Sequence, residues 1–336
     1  MTRVEPTPPD LADLTVADLT EDELLARIFP LLPRGSATLL GPGDDAAVVA
    51  VPDGRMVVST DVLVEGRHFR RDWSTGYDVG WRAAMQNLAD IAAMGARPTS
   101  LVVTLVAPAH LPVEWVTGLA RGLAAACAPH GVGVVGGDLS GGDLVVASVT
   151  VHGDLAGRAP VLRSGARPGD VVGHAGVRGW SAAGLALLAA DRAEVAPALV
   201  RAYLRPDPPL AAGVVAARAG ATSMLDLSDW LLRDAGRVAR ASGVVLDLDP
   251  VAQAFGADLA VLAGAADALG VSASDWVLAG GEDHGLLATF PPGVVIPEPF
   301  RAVGRVEAAG WVQGADVLVG GLPPQTSTPG WDHFAQ

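Results

Sequence analysis

The chain has 336 residues; half of them are hydrophobic, only 5% are aromatic, and the formal net charge is −14. This length is enough for two ordinary domains, and the negative charge argues against nucleic acid or an anionic membrane surface as the main partner, because both are bound through basic faces. The sequence contains no lysine, which excludes a Walker A lysine, a protein-kinase strand lysine and a Schiff-base lysine.

The N-terminal residues are rich in proline and aspartate. They contain no apolar signal-peptide core, and no apolar run in the chain reaches the roughly 20 residues that span a bilayer. We therefore expect residues 1–19 to be a disordered extension of a cytoplasmic protein. The single cysteine, Cys127, excludes an intramolecular disulfide. It lies in an alanine-rich run, which favours a small buried residue over a nucleophile.

The first half of the chain predicts a β-rich domain with two substantial helices. Thr20 to Glu23 has the form of a capping box, which begins a helix toward Leu32. The pattern then predicts, in order, strands over 48–51 and 56–60 joined by a turn at Asp53-Gly54, a helix over 77–94, a strand over 101–106, a helix over 113–128, and strands over 132–135 and 144–151.

The second half repeats the alternation after a linker rich in glycine, arginine and proline at 153–169. Its predicted elements are strands over 171–174, 223–227, 286–290 and 302–306, a helix over 181–190 and another ending at 240. The sequence therefore predicts two α/β or α+β domains, over 20–155 and 156–336.

Acidic residues recur beside glycines and at the predicted ends of apolar strands. The segments that show this are Gly41-Pro42-Gly43-Asp44-Asp45, Ser59-Thr60-Asp61, Gly136-Gly137-Asp138 and Asp226-Leu227-Ser228-Asp229. Carboxylates gathered in one place repel each other unless a cation holds them, and Mg²⁺ prefers oxygen ligands shared with substrate phosphates. Turn chemistry and helix capping are the alternative for any single Gly-Asp pair. The whole set favours a magnesium site.

Glycine pairs such as Gly136-Gly137 and Gly280-Gly281 permit a ligand to approach the backbone closely, and phosphate is a natural one. Neither pair fits a Walker A or a Rossmann fingerprint. On the helix over 77–94, Asn87 and Asp90 are three residues apart and share a face.

The motifs along the chain closely resemble those of the thiamine-monophosphate kinase family. They are Gly41-Pro42-Gly43-Asp44-Asp45-Ala46-Ala47, Ser59 to Phe69, Asn87 to Ala96, Gly136-Gly137-Asp138, Arg163-Ser164-Gly165-Ala166, Ser181 to Leu185, Asp226-Leu227-Ser228-Asp229, Gly280-Gly281-Glu282-Asp283 and Gly330-Trp331-Asp332-His333-Phe334. The resemblance covers nearly the whole chain after residue 20. It extends to a superfamily that includes aminoimidazole ribonucleotide synthetase.

The resemblance implies an N-terminal α/β domain whose sheet pairs across a homodimer, a C-terminal α+β domain, and ATP held between the two. It also implies roles for individual residues. The implied magnesium ligands are Asp45, Ser59, Thr60, Asp61, Asp90, Asp138, Asp226 and Asp229. The implied ATP contacts are Gly137, Asp138, Arg163 and Ser228. The implied contacts to thiamine monophosphate are His68, Glu282 and Trp331.

These roles agree with the chemistry of the residues. An arginine can fork onto phosphate oxygens, and the indole of Trp331 can stack on a positively charged thiazolium. The alternative for Trp331 is a C-terminal anchor in a surface groove, and the alternative for His68 is a structural histidine.

Three departures from the family pattern lie in the second half. Arg178-Gly179-Trp180 stands where the family usually has Leu-Gly-Asp, Trp230 stands in place of a glycine, and His284-Gly285 stands in place of Tyr-Glu. These changes bear on substrate fit, whereas the motifs of the first half are intact.

The resemblance implies direct in-line transfer of the γ-phosphoryl group of ATP to thiamine monophosphate, in thiamine diphosphate biosynthesis. The acceptor phosphate is already ionised at neutral pH, so no general base is nominated; catalysis lies in positioning and charge neutralisation. The alternatives are another ATP-dependent synthetase of the superfamily and a catalytically inactive nucleotide- or metal-binding regulator. A selenophosphate synthetase is disfavoured, because it needs a reactive cysteine and a lysine near the N-terminus.

Overall fold

The computed structural model describes residues 14–43, 46–312 and 314–324. By its internal packing the chain divides into two compact units. The first comprises the described residues up to Ala50 together with Thr60–Ala84 and Thr99–Thr150. The second comprises Val51–Ser59, Met85–Pro98 and the described residues from Val151 onward. The single domain boundary near residue 155 stays a prediction from the sequence.

The helices, in chain order, are α1 Glu21–Ile28, α2 Gly76–Ala93, α3 Val113–Cys127, α4 Trp180–Ala189, α5 Pro197–Leu204, α6 Leu210–Arg218, α7 Leu231–Ser242, α8 Val251–Ala254, α9 Gly256–Leu269 and α10 Ala273–Ala279. The strands are β1 Thr38–Leu40, β2 Val48–Val49, β3 Val57–Val64, β4 Arg97–Ala107, β5 Gly133–Gly141, β6 Val146–Asp154, β7 Val171–Ala175, β8 Ser223–Asp226, β9 Val244–Leu248, β10 Leu286–Phe290, β11 Arg301–Ala308 and β12 Val317–Val319.

The predicted capping box at the start of α1 is confirmed. The Thr20 side chain accepts a hydrogen bond from the backbone N–H of Glu23 at 3.3 Å, and the Glu23 carboxylate accepts one from the backbone N–H of Thr20 at 2.8 Å. These two bonds satisfy backbone groups that would otherwise lack partners at the helix N-terminus.

A four-stranded sheet has the strand order β3-β6-β4-β5, and β4 and β5 run parallel. The predicted turn at Asp53-Gly54 is present, and the N–H of Gly54 donates to the carbonyl of Val51 at 3.2 Å. The strands on either side of it do not pair with each other, because β2 pairs with β1 in a separate two-stranded sheet. The Asp53 carboxylate instead accepts hydrogen bonds from the backbone N–H groups of Arg55 at 3.0 Å and Gly157 at 3.1 Å. It thereby ties the turn to a distant loop.

Helices α2 and α3 approach each other so closely that glycine is required at their contact. A Cβ atom on Gly76 would lie 1.9 Å from the carbonyl oxygen of Trp115, and one on Gly80 would lie 2.1 Å from that of Leu119. A Cβ on Gly122 would lie 2.1 Å from the carbonyl oxygen of Tyr77. Small residues allow two helix backbones to come into direct contact.

The second unit contains a six-stranded mixed sheet with the order β12-β9-β11-β7-β10-β8. Only the β12–β9 pair is parallel; the others are antiparallel. Its core consists mainly of leucine, valine and alanine side chains from this sheet and from α4, α7, α9 and α10, with Phe255 as a buried aromatic. An aliphatic core agrees with the low aromatic content of the sequence.

The prediction from sequence left out β1, β9, β12, α5, α6, α8, α9 and α10. In α9 the sequence GADLAVLAGAADAL has apolar residues on all sides, so it lacks the one-sided periodicity that marks a surface helix. The other omissions are short elements, which give weak periodic signals.

Within the described residues no single helix is long and apolar enough to cross a membrane; α9 and α10 pass that test only as a pair, bent by 117°.

Candidate functional site

In the first unit the predicted magnesium ligands Asp61 and Asp138 lie inside strands rather than at their ends. Asp61 lies within β3, which continues to Val64, and Asp138 lies within β5, which continues to Gly141. The expectation that these aspartates end their strands is therefore wrong. Asp61 and Asp138 are both exposed, so neither charge bears the desolvation cost of burial.

Thr60 points away from its neighbours in sequence, because successive side chains of a strand alternate between faces. Its hydroxyl donates to the carbonyl of Val149 at 2.9 Å and accepts from the hydroxyl of Thr150 at 3.1 Å. Ser59 and Asp61 project to the other face. The Thr60 hydroxyl therefore faces away from the side chains of Ser59 and Asp61.

Ser59 and Asp90, both predicted magnesium ligands, are brought together. The hydroxyl of Ser59, on β3, donates to the Asp90 carboxylate, on α2, at 2.6 Å. Asn87, three residues before Asp90, is fully buried. Asn87 and Asp90 thus share a face of α2, as the i, i+3 spacing predicted, and Asp90 contacts β3 from it.

The glycine at 137 is explained by strand packing. Gly137 is in register with Val103 of β4, and a Cβ atom there would lie 1.9 Å from the Val103 carbonyl oxygen. A Cβ on Gly136 would meet only a Val102 methyl at 3.7 Å, an ordinary contact. The sequence suggested close approach by a ligand, whereas at Gly137 the close neighbour is the adjacent strand.

A pocket of about 530 Å³ lies in the first unit beside this part of β5. Aliphatic side chains of α1, α3, β4 and β5, including Leu25, Leu119 and Val134, form most of its lining. Gly136, Gly137 and Asp138 supply a polar border. An apolar pocket with a few convergent polar groups is the usual form of a small-molecule site. The sequence did not predict the pocket, because its lining comes from several elements that are far apart in the chain.

His68 is held by a local turn. Its Nδ1 atom accepts a hydrogen bond from the backbone N–H of Val64 at 3.0 Å, so in the neutral ring the proton belongs to Nε2. Nearby, the Glu65 carboxylate accepts from the Arg71 side chain at 2.5 Å and from the backbone N–H of Val145 at 3.0 Å. This pattern supports a structural role for Nδ1 and leaves substrate contact to the other edge of the ring.

In the second unit Asp226 is the last residue of β8, as the sequence predicted. His284 lies between Asp226 and Glu282, with Nδ1 at 3.3 Å from Asp226 Oδ2 and Nε2 at 3.7 Å from Glu282 Oε2. Burial acts to lower the pKa of His284, but the hydrogen bond to Asp226 and the charges of Glu282 and Asp226 outweigh it and raise this pKa to about 10. The imidazole is therefore a cation at neutral pH. The sequence flagged His284 only as a departure.

Asp229 is neutralised by arginines of the following helix. Its carboxylate lies 2.5 Å from the Arg237 guanidinium and 3.8 Å from that of Arg233. Asp234 accepts from the backbone N–H groups of Asp229 at 3.1 Å and Trp230 at 3.3 Å, and its other oxygen lies 2.6 Å from Arg237. The start of α7 is thus a compact cluster of two aspartates and two arginines.

The remaining predicted contacts lie apart from this cluster or contribute main-chain groups. The Ser228 carbonyl accepts from the backbone N–H of Glu282 at 2.8 Å. Arg163 is exposed, and its carbonyl accepts from the hydroxyl of Ser242 at 3.2 Å. Asp45 and Trp331 lie outside the described residues. In the part of the chain that the structure describes, no three His, Cys, Asp or Glu side chains are grouped to hold a metal ion.

A buried ionic network that the sequence did not predict surrounds the N-terminus of α4. Arg178 is 0% exposed, and its guanidinium donates to the Asp283 carboxylate at 3.3 Å. Burial raises the pKa of Asp283, while Arg178 and two backbone N–H groups counteract this shift. Asp258 accepts from Trp180 Nε1 at 3.0 Å and pairs with Arg301 at 2.7 Å. Arg178 and Trp180, which belong to the first of the three departures, are therefore parts of this network.

Comparison with known proteins gives close relatives over almost the whole chain. Residues 43–155 match a family model described as AIR synthase related protein, N-terminal domain. The chain is 47% identical to the thiamine-monophosphate kinase of Mycobacterium tuberculosis over 323 residues, which cover 96% of this chain and 94% of the relative. It is 44% identical to that of Corynebacterium glutamicum over 87% of each chain.

Solved structures agree. A structure of AaThiL complexed with AMPPCP and TMP is 33% identical, with a TM-score of 0.75 over 87% of this chain and 91% of that one. The thiamine monophosphate kinase of Aquifex aeolicus is 31% identical, with a TM-score of 0.73 over 84% and 92% of the two chains. Structures of the hydrogenase maturation protein HypE, at 18% identity and TM-scores of 0.64 and 0.65, share the fold alone. The predicted fold class is confirmed, while pairing of the N-terminal sheet across a homodimer stays a prediction.

Proposed function

This chain belongs to the thiamine-monophosphate kinase family, and we propose that it transfers the γ-phosphoryl group of ATP to thiamine monophosphate, giving thiamine diphosphate. The observation that carries the proposal is the 47% identity to a thiamine-monophosphate kinase over 96% of the chain. The related structure with AMPPCP and TMP supports an ATP-like donor and this acceptor.

The nucleotide site is assigned to the pocket of the first unit and to the residues on its border. Its aliphatic lining suits a flat, weakly polar base, and Gly137 and Asp138 lie where phosphates or their counter-ions would be received. Arg163 and Ser228 are the further ATP contacts. The exposed guanidinium of Arg163 suits bidentate binding of phosphate oxygens.

Magnesium is the expected metal, and the donor chemistry fits it. The candidate ligands Ser59, Thr60, Asp61, Asp90 and Asp138 offer only oxygen atoms, as Mg²⁺ prefers. The Ser59–Asp90 contact at 2.6 Å already brings two of them together. Bound magnesium would supply positive charge against the triphosphate.

Asp226 and Asp229 are candidate ligands of a different kind. Each carboxylate is already engaged by a cationic side chain, and each would have to share or release that partner to bind an ion. Asp45 completes the proposed ligand set from outside the described residues.

The acceptor site is assigned to His68, Glu282 and Trp331. The edge of His68 opposite its Val64 bond is the one suited to contact a substrate. Glu282 carries a carboxylate suited to the positive charge of a thiazolium ring. Trp331, outside the described residues, supplies an aromatic face for the same ring.

The chemistry requires no strong base, because the acceptor phosphate is already an anion. The residues bring two anions together, orient the attacking oxygen in line with the leaving group and exclude water. Direct transfer forms the new O–P bond as the bond to the β-phosphate oxygen of ATP breaks, and ADP leaves.

A homodimer formed through the N-terminal sheet is part of the proposal. Strand β3 is at the edge of its sheet, and Val58 and Val62 are 52% and 43% exposed on it. An edge strand with exposed apolar side chains is a surface that pairs with another strand. We also propose a cytoplasmic location, with no nucleic acid or membrane partner.

The test is a turnover assay with purified protein, ATP, magnesium and thiamine monophosphate, in which thiamine diphosphate and ADP are quantified together. We expect equimolar formation of both products. ADP formation with an aminoimidazole ribonucleotide precursor but not with thiamine monophosphate would indicate another synthetase of the superfamily. Nucleotide binding without turnover of any acceptor would indicate an inactive regulator.

A further inference from the structure

Arg178 makes an unusual set of contacts for an arginine. Its side chain is fully buried, and its guanidinium donates to the carbonyl of Val277 at 3.0 Å, to the carbonyl of Gly280 and to the Asp283 carboxylate at 3.3 Å. The two carbonyls belong to the last turn of α10 and the residue that follows it. A cation at a helix C-terminus satisfies carbonyls that have no partner within the helix.

Asp283, the anionic partner of Arg178, caps another helix. Its carboxylate accepts from the backbone N–H of Gly179 at 2.6 Å and from that of Ser181 at 2.8 Å, at the start of α4. Gly179 precedes this helix without a side chain of its own to cap it. The Ser181 hydroxyl donates to the carbonyl of Glu282 at 2.9 Å.

These contacts fix a short segment, residues 280–284, whose backbone is strained. Glu282 has φ +69° and His284 has φ +53°, values that non-glycine residues adopt only where the surroundings enforce them. On the other side of the segment, the N–H of Glu282 donates to Ser228 at 2.8 Å and that of His284 to Leu227 at 3.2 Å. A Cβ on Gly281 would lie 2.1 Å from the Asp229 carbonyl oxygen.

We propose that Arg178 is a positioning residue for the acceptor site. Its guanidinium joins the end of α10 to Asp283 and thereby holds segment 280–284 in the conformation that presents Glu282. The inference rests on the proposed function in one respect: Glu282 is assigned there to contact thiamine monophosphate. The position of the segment is a property of the chain that can be measured without substrate.

A purely structural role for Arg178 is the competing explanation, and Arg301 provides the matched control. Arg301 belongs to the same buried network, where it pairs with Asp258 at 2.7 Å and donates to the carbonyls of Gly176 at 3.0 Å and Ala254 at 3.3 Å. None of these contacts involves segment 280–284. Loss of Arg301 therefore weakens the network without releasing the segment.

The experiment compares Arg178→Lys, Arg178→Met and Arg301→Met by thermal unfolding, hydrogen exchange and steady-state kinetics. Arg178→Lys retains the positive charge but loses the planar guanidinium group, which contacts three acceptors at once. If Arg178→Met fails to fold, Arg178→Lys carries the test. Kinetics and exchange are measured well below the melting temperature of each variant.

We expect the amides of Glu282 and His284 to exchange at least about tenfold faster in the Arg178 variants than in the wild type. The variants lose the hydrogen bonds of Arg178 that keep segment 280–284 from opening. We also expect the KM for thiamine monophosphate to rise about tenfold or more while that for ATP changes less than about twofold. Arg178→Lys should restore part of both effects relative to Arg178→Met. Arg301→Met should lower the melting temperature without either effect.

Unchanged exchange of Glu282 and His284 in both folded Arg178 variants would overturn the proposal, whatever the activity. Equal increases of both KM values, or the same effects in Arg301→Met, would also overturn it and leave a structural role. Absence of wild-type turnover with thiamine monophosphate would refute the proposed function instead. Hydrogen exchange would then still decide whether Arg178 positions the segment.

Discussion

The carboxylates of the two units have opposite surroundings. In the first unit Asp61 and Asp138 are exposed on strands and keep their hydration. In the second unit the corresponding aspartates are partly or fully buried beside side-chain cations: Asp226 with His284, Asp229 with Arg237, and Asp283 with Arg178. These three aspartates of the second unit therefore lie beside side-chain cations, whereas Asp61 and Asp138 of the first unit are exposed to solvent. A metal requirement should arise mainly from the first region.

The largest expected effect is loss of turnover on changing the exposed aspartates. Asp61→Asn and Asp138→Asn should each lower kcat by about a hundredfold or more, because they remove charge that stabilises the transition state. Melting temperatures should stay near that of the wild type, since both side chains are exposed. Asp143→Asn, also exposed, is the control and should retain activity. Near-normal kcat in either variant would remove that residue from the site.

Coupling between ATP and magnesium sharpens the comparison. Two like charges about 4 Å apart, such as a carboxylate and a phosphate, repel by roughly 4 kcal/mol at an effective dielectric constant near 20. ATP should therefore bind at least about a hundredfold more weakly in EDTA than with magnesium, a difference of roughly 2.7 kcal/mol in binding free energy. Calorimetric titration measures both affinities.

Two variants test which region supplies this coupling. Asp138→Asn should remove most of the gain in ATP affinity that magnesium gives, whereas Asp229→Asn should keep most of it, because Arg237 already offsets the Asp229 charge. Equal losses in both variants would contradict the distinction between the regions.

Paired carboxylates of the second unit should matter for stability. Asp234→Ala removes the cap of α7 and a contact to Arg237, and should cost about 2 kcal/mol of unfolding free energy. Asp316→Ala removes an exposed pair with Arg240 and should cost less than about 1 kcal/mol. Chemical denaturation of both variants checks the difference. Similar values for the two would show that burial at α7 confers no advantage.

The last prediction concerns pH. Burial lowers the pKa of His174 well below its ordinary value, and the charges of Arg301 and Arg178 act in the same direction. In the unfolded chain the His174 ring takes up a proton below about pH 6.5, whereas in the folded protein it stays neutral. The resulting stabilisation of the folded state is fully present above that pH and is lost as the pH falls. The unfolding free energy should decline by up to about 1.4 kcal/mol per pH unit from this residue.

His174→Leu should flatten that decline between about pH 6.5 and 5, whereas His110→Leu, at an exposed histidine, should not. Denaturation curves across this pH range provide the measurement. An unchanged slope in His174→Leu would mean that His174 is not responsible.

Local signals in the sequence predicted those parts of the fold that depend on neighbouring residues. The capping box at Thr20 and the face shared by Asn87 and Asp90 are set within one turn of helix, and both appear in the structure. The partner of strand 48–51 was not predicted, because strand pairing depends on residues elsewhere in the chain.

The candidate site divides in the same way. Motifs identified the aspartates, but they gave no sign that His284 and Arg237 would neutralise two of them. Arg178 and Asp283 are 105 residues apart in sequence, so neither local pattern nor spacing links them. The sequence did carry one indication of the buried network. Arg178 and Trp180 depart from the family pattern, and side chains of these types need polar partners when they are buried.

The contact between α2 and α3 limits how the gene can change. Every single-nucleotide missense substitution of a glycine codon introduces a residue with a Cβ atom. At Gly76, Gly80 and Gly122 that atom would lie about 2 Å from a backbone oxygen of the facing helix, which cannot move aside as a side chain can. No codon that differs from these glycine codons by one nucleotide therefore encodes a different residue that the helix contact tolerates. Their glycines should remain unchanged during mutational drift, even while the exposed residues of the same helices vary.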